Sequence, residues 1–130
     1  MRCKITITAV TDIASWVHRD VFMRNVDMDD LNCRESAEVY DWYHPSWFIY
    51  QNGDRYFIPP AFIFRDGRLS GINGRHRAIL LARHMEIFPM LVVCRSIWPA
   101  HKFSEIVNRQ IGEGDTIELP DLPINDPVLQ

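Results

Sequence analysis

Apolar and polar positions alternate near the start of the chain. Lys4-Ile5-Thr6-Ile7-Thr8-Ala9 has the period of two expected of a strand with one buried face. Thr11 or Asp12 then offers a helix cap, and the pattern predicts a short helix running to about His18. Residues 24–32 are polar and acidic with little periodicity, which predicts a loop. Val39, Trp42 and Tyr43 stand three and four apart, which predicts a helix over 34–43 that stops before Pro45. Trp47 to Tyr50 and Arg55 to Ile58 are rich in aromatics and isoleucine. They flank Gln51-Asn52-Gly53-Asp54, a hairpin signal that Pro59-Pro60 terminates.

The second half has stronger contrasts. Ala61-Phe62-Ile63-Phe64-Arg65 reads as a buried strand, and Asp66-Gly67 turns it into a partner strand over 68–72. A helix follows from Asn73 or Gly74, with Ala78, Ile79, Leu81, Ala82 and Met85 as its core stripe. Pro89 is expected to end the connection into a strand at Met90-Leu91-Val92-Val93-Cys94. His101 to Ile111 reads as a further helix, with Phe103, Ile106 and Val107 inward and Gly112 at its C-cap. Strands and helices mixed in this way predict a small α+β domain over 1–112. Residues 113–130 read as an acidic, proline-spaced extended tail that lies over the body or a partner.

Composition narrows the class. The chain has 130 residues, 47% of them hydrophobic, which is enough for one domain with its own core. Cys3, Cys33 and Cys94 are odd in number and far apart, so no disulfide framework is expected. No apolar run reaches the roughly 18 residues of a membrane span, and Asp12 cuts short the run after Ile5, so no signal-peptide core forms. A cytoplasmic protein without membrane contact is the expectation.

The formal charge is −3, which disfavours bulk attraction to a long duplex. Its distribution is uneven. Residues 65–83 carry Arg65, Arg68, Arg75, Arg77 and Arg83 against Asp66 alone, while 12–41 and 113–130 are acidic. One basic patch on an acidic molecule is expected, suited to a small phosphorylated ligand.

That patch centres on Gly71-Ile72-Asn73-Gly74-Arg75-His76-Arg77, a glycine turn that opens a helix. A helix start presents backbone amides without intrahelical acceptors, and arginine adds a planar fork of donors that matches phosphate oxygens. The candidate binding residues are therefore Asn73, Gly74, Arg75, His76 and Arg77. His76 can also exchange a proton near neutral pH. Competing readings exist for each: Arg77 pairing with an acid, His76 packing on the strand end, Asn73 capping the helix with its own side chain. Ser70 lies six residues before His76, with no order that makes a triad. The histidines show no metal-ligand spacing, so no metal site is expected. Trp42, Tyr43, Trp47, Phe48 and Tyr50 are dense enough to stack a base, and equally suited to a core.

Gly71 to Ala78, with Ile87-Phe88-Pro89-Met90-Leu91-Val92 after the helix, resembles the signature of the ParB N-terminal domain and sulfiredoxin superfamily. The resemblance covers about residues 57–95. It implies a ParB/sulfiredoxin-like mixed sheet with packed helices, and a turn that holds nucleotide phosphates, such as ATP or CTP with Mg²⁺. The family spans CTP-binding partition proteins, ATP-using sulfinic acid reductases, a free-serine kinase and nucleases, so the resemblance leaves the reaction open. Sulfiredoxins carry a cysteine directly before the His-Arg pair, where this chain has Arg75, which disfavours sulfinic acid reduction.

Two functions are expected as alternatives. One is a nucleotide- or polynucleotide-phosphate-binding protein, a nuclease or phosphotransferase if catalytic, in which His76 and Arg77 work with an acid. Such an acid would come from Glu35 or Glu38, which stand three apart on one face of the expected helix, with Asp27, Asp29 and Asp30 nearby. The other is a non-catalytic acidic inhibitor or adaptor that meets a protein partner through the tail, as a plasmid or phage protein would to blunt a rival system.

Overall fold

Two tight turns organise the middle of the chain. Asn52-Gly53 and Asp66-Gly67 each place both residues at positive φ, 53° and 80° in the first and 53° and 78° in the second. That is the twist a two-residue hairpin needs. The first turn joins β3 (Phe48–Gln51) to β4 (Asp54–Phe57), and the second joins β5 (Ala61–Arg65) to β6 (Arg68–Asn73). Pro59 and Pro60 separate the hairpins, and the two hairpins enter different sheets.

The computed structural model describes residues 1–9, 12–27 and 41–125. One sheet has the order β3-β4-β1-β9 and the other β6-β5-β7-β2-β8. Here β1 is Arg2–Ile5, β2 Ile13–His18, β7 Ile87–Val93, β8 Arg109–Ile111 and β9 Thr116–Glu118. Both sheets are mixed, since β1 runs parallel to β4 and β5 parallel to β7 while the other pairs are antiparallel. Three α-helices are described: α1 (Arg19–Asn25), α2 (Arg75–His84) and α3 (Ala100–Ile106). The architecture is a small α+β domain of mixed sheets and packed helices. None of these helices is long and apolar enough to cross a membrane.

Phe22 of α1 ties a helix to the larger sheet. Its ring meets Phe62 edge-on at 5.1 Å and Phe88 at 5.2 Å, and all three are fully buried. Tyr43 is also fully buried, and its hydroxyl donates to the Pro120 carbonyl at 2.7 Å.

Several expectations are corrected. Residues 13–18 form the interior strand β2, not a helix. Ile13 and Val17 suit either period, but β2 pairs with β7 along its full length and with β8 on the other side, so two ladders satisfy its backbone. The expected loop over 24–32 begins inside α1, and most of the rest of it lies outside the described residues. The first strand is Arg2–Ile5 and not 4–9. The expected helix over 101–111 is split into α3 and β8, because Ile111 is buried beside Ala14 in the sheet register. Gly112 is accordingly no helix cap; its N–H donates to Asp115 Oδ2 at 2.7 Å in the turn before β9. Pro89 lies within β7. It is tolerated there because β5 pairs only with Leu91–Val93, so the ladder on that side starts beyond it. The helix expected over 34–43 falls mostly outside the described residues.

The segment after residue 112 lies on the body and is built into it. β9 pairs antiparallel with β1, and Ile117 and Leu119 are buried. The chain then reaches Tyr43, whose backbone is bonded to Pro123 and Asn125. Only residues 126–130 of the expected tail lie outside the described residues.

Burial in this smaller sheet makes one pH response predictable. Burial pushes the Cys3 thiol from its ordinary 9.0 up to about 11. A folded state that keeps the thiol neutral is fully stabilised below pH 9, and that stabilisation is lost as pH rises toward 11. Urea melts across this window should show a fall of about 2–3 kcal/mol that Cys3→Ala removes. An unchanged alkaline slope in the variant would show that Cys3 does not carry it.

Candidate functional site

Gly74 is the N-cap of α2, with φ 90° and ψ 34°. An L side chain is strained in that left-handed geometry, so glycine lets the chain leave β6 and enter the helix in one step. The first backbone bond of the helix runs from the Ala78 N–H to the Gly74 carbonyl at 2.9 Å. The amides of residues 75–77 therefore precede the intrahelical ladder. Asn73 does not cap them. It is the last residue of β6, paired with Ala61, and its side chain is exposed.

Glycine at 74 also makes room for Arg77. A Cβ there would lie 2.7 Å from Arg77 Nε and 2.8 Å from both Cζ and Nη2. The guanidinium folds back over the bare Cα instead. Arg77 is 4% exposed, which is exceptional for an arginine. Nη1 donates to the Ile58 carbonyl at 2.7 Å, and Nε has no hydrogen-bond partner. The Trp47 ring centroid lies 5.9 Å from the guanidinium carbon. Among the described residues no carboxylate pairs with Arg77, so the competing reading of an ion pair is not met there. Burial lowers its pKa to about 10, which leaves it charged at neutral pH.

These groups face a pocket of about 230 Å³ lined by Trp47, Ile72, Asn73, Gly74, Arg75, His76 and Arg77. Arg75 Nη2 donates to the Gly71 carbonyl at 2.8 Å, so this side chain bends back along β6. His76 is half-buried in the wall. The first turn of α2 holds no acid, while Arg83 and His84 occupy its last turn. Arg75 and Arg77 thus stand at the positive end of the helix dipole, and no acid lies within that turn.

Protein-family models, curated proteins and solved structures contain no match to this chain. The likeness to the ParB/sulfiredoxin signature therefore rests on the motif alone.

All five residues named from the sequence as binding candidates line one pocket. The wider basic patch does not form. Arg65 and Arg68 sit at the Asp66-Gly67 turn, the opposite end of the hairpin from Gly74. Arg68 lies 3.9 Å from Asp27, and Arg83, at the far end of α2, lies 3.7 Å from Asp41. A ten-residue helix is about 15 Å long, so Arg83 is remote from the pocket. Ser70 lies mid-strand in β6, opposite Ile63. Glu35 and Glu38, with Asp29, Asp30 and Cys33, lie outside the described residues. Within these bounds, no carboxylate lines the pocket and no His/Cys/Asp/Glu group is arranged to hold a metal. The described lining thus offers hydrogen-bond donors and no carboxylate ligand for Mg²⁺.

Of the aromatic cluster, Tyr43 and Phe48 are core, Tyr50 is 62% exposed away from the pocket, and Trp47 lines it. The role of Ile58 was not legible in the sequence. Its contribution is a backbone carbonyl, and main-chain acceptors leave no trace in residue type.

Proposed function

We propose that this protein binds a nucleotide or polynucleotide phosphate in the pocket at the head of α2. The observation that carries this reading is Arg77: a buried, charged guanidinium with one nitrogen unpaired, folded over Gly74 beside amides that start a helix. An unpaired buried charge is costly, so a fold that keeps one at a pocket is one in which an anion offsets that cost. Arg77 supplies the charged donor, Gly74 the close approach, and Asn73, Arg75 and His76 the remaining polar wall. The motif resemblance supports the same ligand class. Turnover as a nuclease or phosphotransferase requires an acid at this pocket, for which Glu35 and Glu38 are the candidates from the sequence, with His76 as the candidate for proton exchange.

Calorimetric titration with ATP, CTP and GTP, with and without Mg²⁺, tests the reading. Saturable binding is expected for at least one of them. Arg77→Ala should weaken it by roughly 1.5–3 kcal/mol, the worth of a charged hydrogen bond. Absence of saturable heat with all three at millimolar concentration would sink the proposal. Incubation of plasmid, single-stranded DNA and RNA with Mg²⁺ or Mn²⁺ tests turnover separately; cleavage that survives Arg77→Ala would not belong to this site.

A further inference from the structure

The pocket has a second half that a bare phosphate does not use. Trp47 forms part of its wall, and the position of the indole is tied to that of Arg77 through a single residue. The Ile58 N–H donates to the Trp47 carbonyl at 2.9 Å, while the Ile58 carbonyl accepts from Arg77 Nη1 at 2.7 Å. Indole and guanidinium are thus held on one frame. Tyr43 and His44 brace the indole, with ring centroids at 6.4 Å and 6.3 Å. Ile72 lines the same pocket from the end of β6 and is 49% exposed, one of few large apolar side chains left so open. The lining therefore combines an aromatic ring and an exposed isoleucine with Arg75, His76 and Arg77, so it offers apolar contact beside charged donors. Its volume, about 230 Å³, falls below the roughly 300–1,000 Å³ of clefts that enclose a drug-sized ligand. The pocket therefore holds a phosphate and one face of a base at most, the rest of the ligand staying in solvent.

Resting on the phosphate reading above, we infer that the pocket takes one unpaired nucleotide unit, with its phosphate toward Arg77 and its base against Trp47 and Ile72. Trp47 is then the residue that distinguishes a nucleotide from other organic phosphates, because a sugar phosphate has no planar face to place on an indole. A duplex keeps its bases paired and stacked and can present only its backbone here. A free nucleotide, or an unpaired nucleotide of a single strand, brings both halves. The formal charge of −3 favours a single nucleotide over any long polyanion, single strand or duplex, since the chain as a whole does not attract one.

The test is an equilibrium titration of the full chain with ribose 5-phosphate, AMP, a single-stranded oligodeoxythymidylate and a blunt duplex of equal length. AMP or the single strand should bind about 10-fold or more tighter than ribose 5-phosphate, and whichever of the two wins identifies the source of the unit. Trp47→Ala should weaken that ligand by roughly 5- to 100-fold, with Trp47→Phe retaining most of the affinity. Ribose 5-phosphate should bind both variants within about twofold of the parent, since it makes no stacking contact. Saturation transfer from the protein should be stronger to base protons than to ribose protons. Because Trp47 is half-buried, Ile72→Ala supplies a second variant at an exposed position; it should lower affinity without lowering the melting temperature. Base-independent affinity, with ribose 5-phosphate as tight as AMP and the single strand and weakened by Arg77→Ala, would overturn the base contact while the phosphate reading stands. Duplex binding as tight as single-strand binding would overturn it too. Failure of all four probes to bind would remove both.

Discussion

Gly74→Ala is expected to lower stability by roughly 3–5 kcal/mol and to abolish the proposed phosphate binding. Two costs combine. An alanine held at φ 90° pays about 1–2 kcal/mol for a left-handed backbone. Its Cβ would also lie 2.7–2.8 Å from three atoms of the Arg77 guanidinium, which must swing away and give up the Ile58 carbonyl. The loss of that charged hydrogen bond adds roughly 1.5–3 kcal/mol. A double-mutant cycle isolates the second cost. In an Arg77→Ala background the clash is gone, and Gly74→Ala should cost only the backbone term, leaving a coupling of about 2 kcal/mol or more. Urea melts of the four proteins measure it. Equal costs of Gly74→Ala in both backgrounds would mean that the guanidinium does not rest on this glycine.

Removal of residues 113–130 is expected to cost roughly 5 kcal/mol or more, enough to unfold a domain of ordinary stability. The deletion removes β9 from the smaller sheet and with it the buried side chains of Ile117 and Leu119, each worth about 1.5–3 kcal/mol. It also strips Tyr43. The Tyr43 hydroxyl loses Pro120, its N–H loses Pro123 and its carbonyl loses Asn125. Tyr43 packs on Trp47, so the damage reaches the pocket wall. Circular dichroism should show a lost or strongly lowered thermal transition. A truncated chain that melts within a few degrees of the parent would mean that β9 contributes little to the fold. The experiment bears on any protein partner as well: loss of an interaction on truncation cannot be assigned to the acidic residues of this segment, and charge-neutral substitutions of exposed acids such as Asp121 are the right probes.

The elements legible in the sequence were those specified by local chemistry. Asn52-Gly53 and Asp66-Gly67 adopt the positive φ values that only such pairs adopt cheaply, so both hairpins could be read from the residues that turn them. Gly74 and the periodic run after it marked α2 in the same way, and with α2 came every residue of the pocket that lies on its first turn. Local signals failed where neighbours outvoted them. Residues 13–18 suit either period, and they are a strand because β7 and β8 are there to pair with them. Arg109–Ile111 would continue a helix but for the open edge of β2. Thr116–Glu118 looked like a tail because its three residues carry too little pattern to announce a strand, and β1 supplies the ladder.

The division at the site has the same origin. Sequence alone determined the turn, the helix start and the donors gathered on it, because all of these lie within seven consecutive residues, 71–77. Only the tertiary structure decided which arginines act together. Arg65, Arg68 and Arg83 are neighbours of the motif in sequence and stand at the far ends of β6 and α2 in space, since extended and helical segments carry their ends apart. Trp47 and Ile58, some twenty to thirty residues earlier, are brought against Arg77 by a main-chain carbonyl and a ring face. Whether Arg77 meets an acid or is buried without one is a property of everything packed around it, and that environment is set by long-range contacts that no short stretch of residues encodes.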